Sequence, residues 1–192
     1  DFSKVSGSEI FALDTEVEQA QKDAILKAKN SHNSVGGVAL INVKNAPIGL
    51  GEPLYFKLDS QIANAMMGIN AVKAVEIGDG ILASKVKGYD NNDQIRKTGF
   101  KTNHSGGILG GISNGDDINV KVYFKATPSI FIEQETIDTA NNEVNCQLKG
   151  RHDPCVAVRG SVVAESMMAL VLADMALLNM SSKMENVKKV YS

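Results

Sequence analysis

The clearest hydrophobic pattern in the chain is a strict alternation between Ile118 and Lys125. The apolar positions are Ile118, Val120, Val122 and Phe124, and the intervening positions are Asn119, Lys121, Tyr123 and Lys125. A period of two places the apolar side chains on one face of a strand, as in an antiparallel sheet with one buried face. The pattern therefore predicts a half-buried strand, and the preceding Asn114-Gly115 predicts a hairpin turn.

Two further apolar runs predict strands. One extends from Val38 to Val43 after Gly36-Gly37, and the other extends from Val72 to Ile77, where Gly78-Asp79-Gly80 ends it. A polar turn is predicted at Asn141-Asn142.

Helical spacing marks the segment from Leu58 to Ile69, where Leu58, Ile62, Ala65, Met66 and Ile69 fall on one face. An earlier helix is predicted to open with a capping box formed by Thr15 and Glu18. Its apolar face is narrow and rich in small residues, so we expect this helix at the surface.

The segment from Ser161 to Met180 is almost entirely apolar. Glu165 and Asp174 interrupt it, so no uninterrupted run approaches the roughly 18 residues of a membrane span. We therefore expect no membrane insertion, and we predict a helix buried on more than one face, with Ser161 capping its start.

Between Ser84 and Asn103 the pattern fades, which predicts a long polar loop that is functional or disordered. The elements together predict one α+β domain over residues 1–192, with antiparallel sheet and at least one deeply buried helix. A strand–helix alternation with a phosphate-binding glycine loop is not evident.

Composition narrows the function classes. Of the 192 residues, 43% are hydrophobic and 22% are charged, which is typical of a globular domain. The net charge of −2 argues against nucleic acid or an anionic membrane as a partner. Two cysteines suggest a reducing, cytoplasmic setting, and neither they nor the three histidines have metal-ligand spacing. The start, Asp1-Phe2-Ser3-Lys4, suggests a fragment or a processed protein.

Two segments offer chemistry of low specificity. Gly106 to Gly111 contains four glycines in six residues, which would permit close approach of a flat ligand or a phosphate, or simply form a bulge or bend. Lys125 to Ser129 ends the alternating strand with a cation, a hydroxyl and a proline-fixed turn. That combination suits an anionic group, and it equally suits a solvated Lys followed by an ordinary turn.

Arg151-His152-Asp153-Pro154-Cys155 is the most concentrated set of functional groups. Arg151 can bind a phosphate or carboxylate through two parallel hydrogen bonds. Asp153 can orient that Arg or move a proton. The alternative is a structural salt bridge between Arg151 and Asp153 ahead of the apolar helix.

These segments, taken in order, resemble the chorismate synthase family. The runs that carry the resemblance are Gly51-Glu52-Pro53, Leu58-Asp59, Ala65-Met66-Met67, Ile69 to Lys73, Val75 to Gly80, Gly106 to Gly115, Gly150 to Cys155 and Ala164 to Met167. They extend over nearly the whole chain, which is similar to the C-terminal part of that family.

The resemblance implies a fold in which helices are sandwiched between antiparallel sheets, present here only in part, and a homotetrameric, cytoplasmic full-length protein. It implies a lyase of the shikimate pathway of aromatic amino acid biosynthesis that eliminates phosphate from 5-enolpyruvylshikimate 3-phosphate to give chorismate. The family requires reduced FMN and is associated with NADP, the source of the reduced flavin being open.

The resemblance also implies residue roles. The positions implied to bind the cofactor are Asn70, Ala71, Gly110, Lys125, Ala126, Thr127, Pro128, Ser129 and Arg151. Arg151 and Thr127 are implied to bind substrate as well, and Asp153 is implied to be catalytic, assisting proton transfer near the flavin. No metal is implied.

The chain departs from the family pattern in two respects. The family usually has Lys-Pro-Thr-Ser-Ser where this chain has Lys125 to Ser129, so Pro128 removes a hydroxyl and a backbone donor. The N-terminal Ser-His signature, arginines and histidines are missing, and Ser31-His32 lies outside the matching motif. We therefore expect the fragment to be inactive alone. The alternatives are a non-catalytic FMN-binding module and a self-associating structural module.

Overall fold

The computed structural model describes residues 2–191. The helices in this range are α1 (Thr15–Asn30), α2 (Leu58–Met67), α3 (Gly88–Asn91), α4 (Ala157–Met180) and α5 (Met184–Tyr191). The strands are β1 (Gly37–Val43), β2 (Val72–Ile77), β3 (Ile95–Arg96), β4 (Gly99–Phe100), β5 (Ile108–Leu109), β6 (Ile112–Ser113), β7 (Ile118–Phe124), β8 (Gln134–Ile137) and β9 (Glu143–Cys146). Short 3₁₀ helices cover Phe2–Gly7 and Gly80–Ser84.

The principal sheet has three antiparallel strands in the order β1-β7-β2. All three strands were predicted, and the alternation in β7 is confirmed, because its residues are alternately buried and half-buried. The buried side chains of Ile118, Val120, Val122 and Phe124 face one side. The α+β class with antiparallel sheet is confirmed.

Helices α2 and α4 cover the buried face of this sheet. The apolar face predicted for α2 is confirmed, since Leu58, Ile62 and Met66 have no exposed surface. Fully burying such a side chain stabilises the fold by about 1.5–3 kcal/mol. The core of the chain therefore lies between one sheet and this pair of helices.

Helix α4 differs from the prediction in its start and in its burial. It begins at Ala157 rather than Ser161, and the Ser161 hydroxyl donates to the Val158 carbonyl inside the helix at 2.8 Å. Its buried residues form a single stripe: Ala157, Gly160, Ala164, Met168 and Met175. The predicted burial on more than one face is wrong, because within residues 2–191 a single layer of sheet packs against the helix.

The exposed side of α4 is apolar, and Leu170 and Leu177 are each 65% exposed. Among the described residues, α4 is the one helix long and apolar enough to cross a bilayer by length and composition. Its buried stripe packs against β1 and α2, as the core helix of a folded domain does.

The predicted helix α1 is present, but Thr15 is its first residue and not its cap. Asp14 is the N-cap residue, and its Oδ1 accepts from the Glu16 N–H at 2.9 Å. Glu18 binds the Ser8 hydroxyl and the Lys22 ammonium, so the predicted capping box is wrong. The surface location is confirmed, since Ala28 is the single buried residue of α1.

The glycine run forms its own hairpin. Leu109 pairs with Ile112, so Gly110 and Gly111 are the turn, and both have positive φ, as the tight turn requires. Asn114-Gly115 instead links strands β6 and β7 of different sheets, so the hairpin predicted there is wrong. The turn predicted at Asn141-Asn142 is confirmed, because it joins β8 to β9.

Asp93 organises the polar segment that was predicted to be a long loop. The segment contains α3, β3 and β4, and the 4% exposed carboxylate of Asp93 accepts from the backbone N–H groups of His104 and Ser105 and from the Thr102 hydroxyl. Burial raises the pKa of Asp93, but these hydrogen bonds outweigh burial and hold that pKa well below its usual range.

Candidate functional site

One end of the three-stranded sheet gathers the segments with candidate chemistry. Phe124 at the end of β7 pairs with Gly37 at the start of β1 and with Val72 at the start of β2. The Asn70-Ala71 turn and the Lys125–Ser129 segment therefore adjoin. The backbone N–H of Lys125 donates to the Ala71 carbonyl at 2.9 Å, which ties the two segments directly.

Ala71 has a left-handed backbone with φ of 72°. A side chain makes that conformation unfavourable by about 1–2 kcal/mol. The hydrogen bond from Lys125 and the strand pairing of Val72 hold it in place. The turn leaves the Asn70 side chain exposed at the sheet end.

The segment after β7 is joined to the segment before α4 through Ser34 and Val35. The Ser34 hydroxyl donates to the Thr127 carbonyl at 2.6 Å, and the Val35 N–H donates to the Pro154 carbonyl at 2.8 Å. Thr127 and Asp153 are thereby brought to the same end of the sheet. Sequence analysis missed Ser34, and a bond to a residue 93 positions away leaves no local pattern.

Exposure differs along the Lys125–Ser129 segment. The side chains of Lys125, Ala126 and Pro128 are exposed, whereas those of Thr127 and Ser129 are half-buried. The Pro128 carbonyl accepts from the Ile130 N–H and from the Gln134 side chain. Pro128 therefore contributes its backbone carbonyl to this turn, and it has no backbone N–H to donate.

His152 contributes an unsatisfied nitrogen to this region. Its ring lies 5.4 Å from the Phe131 ring, and the Phe131 N–H donates to the His32 carbonyl. Nε2 of His152 is buried and has no hydrogen-bond partner among residues 2–191. An unpartnered buried nitrogen carries a free-energy cost that a ligand hydrogen bond would remove.

Asp153 pairs with Arg159, not with Arg151. The Arg159 Nε lies 2.7 Å from Asp153 Oδ2, at the first turn of α4. Arg151 is exposed, and no described carboxylate lies within ion-pair distance of it. The salt bridge proposed for Arg151 and Asp153 is wrong, and Arg151 has the capacity to bind an external anion.

Gly110 lies away from these segments. Its neighbour Gly111 accepts from the Leu58 N–H at the start of α2, whereas Asn70 follows the end of that helix. Ten helical residues separate these points by about 15 Å. Gly110 itself is exposed, with open space around its missing side chain. The fold thus does not bring Gly110 to the Lys125 end of the sheet.

The sheet end can bind an anion. Lys125 and Arg151 supply exposed cations, and His152 supplies a buried ring nitrogen that has no hydrogen-bond partner among residues 2–191. These groups fit the phosphate of a cofactor or a substrate. Among residues 2–191, no group of three or more His, Cys, Asp or Glu side chains is arranged to hold a metal ion.

Comparisons with known proteins place this chain in a family. The sequence profile of the family described as "Chorismate synthase" matches residues 2–177. The chain is 86% identical over 191 residues to a "Chorismate synthase" of Aliarcobacter butzleri (strain RM4018), covering all of this chain and 53% of that protein. It is 63% identical to a "Chorismate synthase" of Sulfurovum sp. (strain NBC37-1), covering 54% of that protein.

A solved structure gives the same result. The chain superimposes on a "Crystal Structure of Chorismate Synthase" with a TM-score of 0.76 and 32% identity, covering 98% of this chain and 51% of that chain. The chain spans about half the length of the curated relatives that it matches. It belongs to the chorismate synthase family.

Proposed function

We propose that this chain is the C-terminal part of an enzyme that converts 5-enolpyruvylshikimate 3-phosphate to chorismate by eliminating phosphate and a ring hydrogen, using reduced FMN. The observation that carries the proposal is the convergence of Asn70-Ala71, Lys125–Ser129 and Arg151–Asp153 at one end of the sheet. The chain contributes one wall of the pocket.

In this proposal the cationic residues bind the anionic groups of the cofactor and the substrate. Lys125, with Thr127 and Ser129 beside it, binds the FMN phosphate, Ala126 and Pro128 shape the turn between them, and Arg151 binds phosphate or carboxylate groups. Asn70 and Ala71 face the flavin. Bound FMN supplies transient electron density to the reaction.

In this proposal Asp153 assists proton transfer. Arg159 binds its Oδ2 and fixes the orientation of the carboxylate, and in this proposal Oδ1 is the oxygen that exchanges the proton. The proposed role of Gly110 rests on the family resemblance alone, since Gly110 lies beyond the far end of α2 from Asn70.

We expect the isolated chain to be inactive. The substrate carries two carboxylates and a phosphate, whereas the described sheet end offers Lys125 and Arg151 as unpaired cations. Incomplete positioning slows proton transfer steeply. In this proposal the whole enzyme is a cytoplasmic homotetramer that binds neither nucleic acid nor membrane, and NADP is relevant if the parent reduces its own flavin.

An anaerobic assay of the chain with reduced FMN and 5-enolpyruvylshikimate 3-phosphate tests the proposed incompleteness. No chorismate is expected from the chain alone. Steady chorismate formation would show that the chain holds a complete site.

Two non-catalytic functions have specific support. The folded Lys125 end of the sheet favours an FMN-binding module, which fluorescence titration of FMN against the Arg151→Ala variant tests. The exposed apolar side of α4 favours a self-associating module. A monodisperse monomer in light scattering contradicts that second alternative.

A further inference from the structure

The loop between α1 and β1 contacts both segments that the proposed site requires. The Ser34 hydroxyl donates to the Thr127 carbonyl at 2.6 Å, and the next residue, Val35, donates its N–H to the Pro154 carbonyl at 2.8 Å. Two consecutive residues of one loop therefore hold the Lys125–Ser129 segment and the segment ahead of α4 in a fixed relation.

The loop is tightly packed on both sides. A Cβ added at Gly36 would lie 2.6 Å from the Phe124 carbonyl oxygen, at the end of β7. A Cβ added at Gly37 would lie 2.7 Å from Cβ of Ala157, at the start of α4. Real Cβ atoms do not approach other atoms so closely, so the loop has no room to shift toward either element. Ser34 is therefore carried on a rigid base.

The Lys125–Ser129 segment has backbone–backbone hydrogen bonds only near its two ends. In its middle, the Thr127 carbonyl accepts the hydroxyl of Ser34. The N–H groups of Thr127 and Ser129 have no acceptor among residues 2–191. Successive unpaired backbone N–H groups are suited to bind an anion, provided that the backbone holds them in one direction.

We propose that Ser34 is a positioning residue for phosphate binding. Its hydroxyl fixes the Thr127 carbonyl and so orients the N–H groups of Thr127 and Ser129 for the phosphate of the flavin. Ser34 acts through Thr127 rather than through contact with the ligand. The inference rests on the proposed function, because it takes the Lys125–Ser129 segment as the phosphate site.

A positioning role and a purely structural role of Ser34 have different consequences. Riboflavin has the ring system of FMN without the phosphate, so its binding does not depend on a phosphate site. Loss of a positioning hydroxyl weakens the binding of FMN and spares that of riboflavin. Loss of a merely stabilising hydrogen bond lowers the melting temperature and affects both flavins equally. The ratio of the two dissociation constants therefore separates the two roles.

The first test is fluorescence titration of FMN and of riboflavin with the wild-type chain and three variants. Ser34→Ala should weaken FMN binding by about fivefold, the effect of one hydrogen bond, and leave riboflavin binding unchanged. Ser34→Thr keeps the hydroxyl and should restore the preference for FMN. Ser31→Ala is the matched control, because the Ser31 hydroxyl lies in the same part of the chain but donates to the Ala28 carbonyl of its own helix at 3.0 Å.

The second test is amide hydrogen exchange of the same proteins without ligand. The Ile130 N–H donates to the Pro128 carbonyl, directly after the residue that Ser34 holds. Its exchange should be faster by about tenfold in Ser34→Ala, because the segment opens locally, and unchanged in Ser31→Ala. The Lys125 N–H is bonded to the other side of the segment and should exchange at the wild-type rate in both variants.

Three results would overturn the role of Ser34. Equal weakening of both flavins would make its hydrogen bond merely structural. An intact preference for FMN in Ser34→Ala, or unchanged exchange at Ile130, would show that Ser34 does not order the segment. A wild-type chain that binds FMN no more tightly than riboflavin would instead remove the phosphate site from Lys125–Ser129, and the proposed function would fail together with this inference. Failure in the variants alone leaves the proposed function standing.

Discussion

Arg159 holds Asp153 through a 2.7 Å contact between Nε and Oδ2, and Arg151 has no ion-pair partner among residues 2–191. The ion pair joins the functional segment to the first turn of α4. Arg151, the arginine nearest to Asp153 in the sequence, is exposed. Arg159 therefore serves as a structural anchor, whereas Arg151 stays available for the anion-binding role proposed for it.

We predict that Arg151 and Arg159 differ in their effects on anion binding. Arg151→Ala should weaken FMN binding by about tenfold or more, because a charge-assisted hydrogen bond contributes about 1.5–3 kcal/mol. Arg159→Ala should change the dissociation constant much less, since Asp153 engages that guanidinium. Flavin fluorescence titration measures both. Equal losses in the two variants would contradict the assignment of Arg151.

We predict that Asp93→Asn destabilises the chain at neutral pH by about 1–3 kcal/mol, because it weakens a buried, multiply hydrogen-bonded carboxylate. The pKa of Asp93 is lowered on folding, so its contribution is fully present above the unfolded value of about 3.9 and is lost as pH falls below it. Urea unfolding of both proteins at pH 7 and pH 3 should give a smaller difference at pH 3.

Asp90→Asn is the control for that experiment. Asp90 lies in the same segment, is exposed, and should change stability by no more than about 0.5 kcal/mol. An Asp93→Asn effect that is identical at both pH values would contradict the ionised carboxylate as its cause.

We predict that Gly160 is required for the contact between α4 and β7. A Cβ added at Gly160 would lie 2.6 Å from Cε1 of the Phe124 ring, so Gly160→Ala should destabilise the fold by about 1–3 kcal/mol despite its better helix propensity. Gly88→Ala, in α3, has open space and should be neutral. Thermal unfolding of the two variants provides the comparison, and an equally stable Gly160→Ala protein would disprove the close packing.

We predict that only the buried side of α4 contributes strongly to the free energy of unfolding. Met168→Ala should cost about 2–5 kcal/mol, since Met168 is 2% exposed and its truncation leaves a cavity. Leu170→Ala should cost much less, because Leu170 already faces solvent. Equal losses in chemical denaturation would indicate that both sides of α4 are covered.

Sequence predicted the sheet better than it predicted the contacts around the sheet. The alternation in β7 has a period of two and one buried face, so the sequence pattern was sufficient to predict this strand. The apolar pattern of α4 was misleading, because apolar residues without a covering layer look the same in sequence as buried ones.

The candidate site was predictable in part. The Arg151–Cys155 segment stood out by its functional groups, but its partners Ser34 and Arg159 did not. Ser34 acts through a bond across 93 positions, and Asp153 and Arg159 are on either side of a helix start, outside helical spacing. Gly110 and Asn70 lie near opposite ends of α2, which is about 15 Å long, and no local motif specifies the direction of that helix.

A reconstitution assay measures whether this chain supplies one wall of a chorismate synthase site. The chain and the separately produced remainder of the Aliarcobacter butzleri relative are assayed anaerobically with reduced FMN and 5-enolpyruvylshikimate 3-phosphate, singly and together. Chorismate should form only when both are present. Steady formation by this chain alone, or none from a mixture in which the two parts are shown to bind, would mean that the chain does not supply one wall of a shared site.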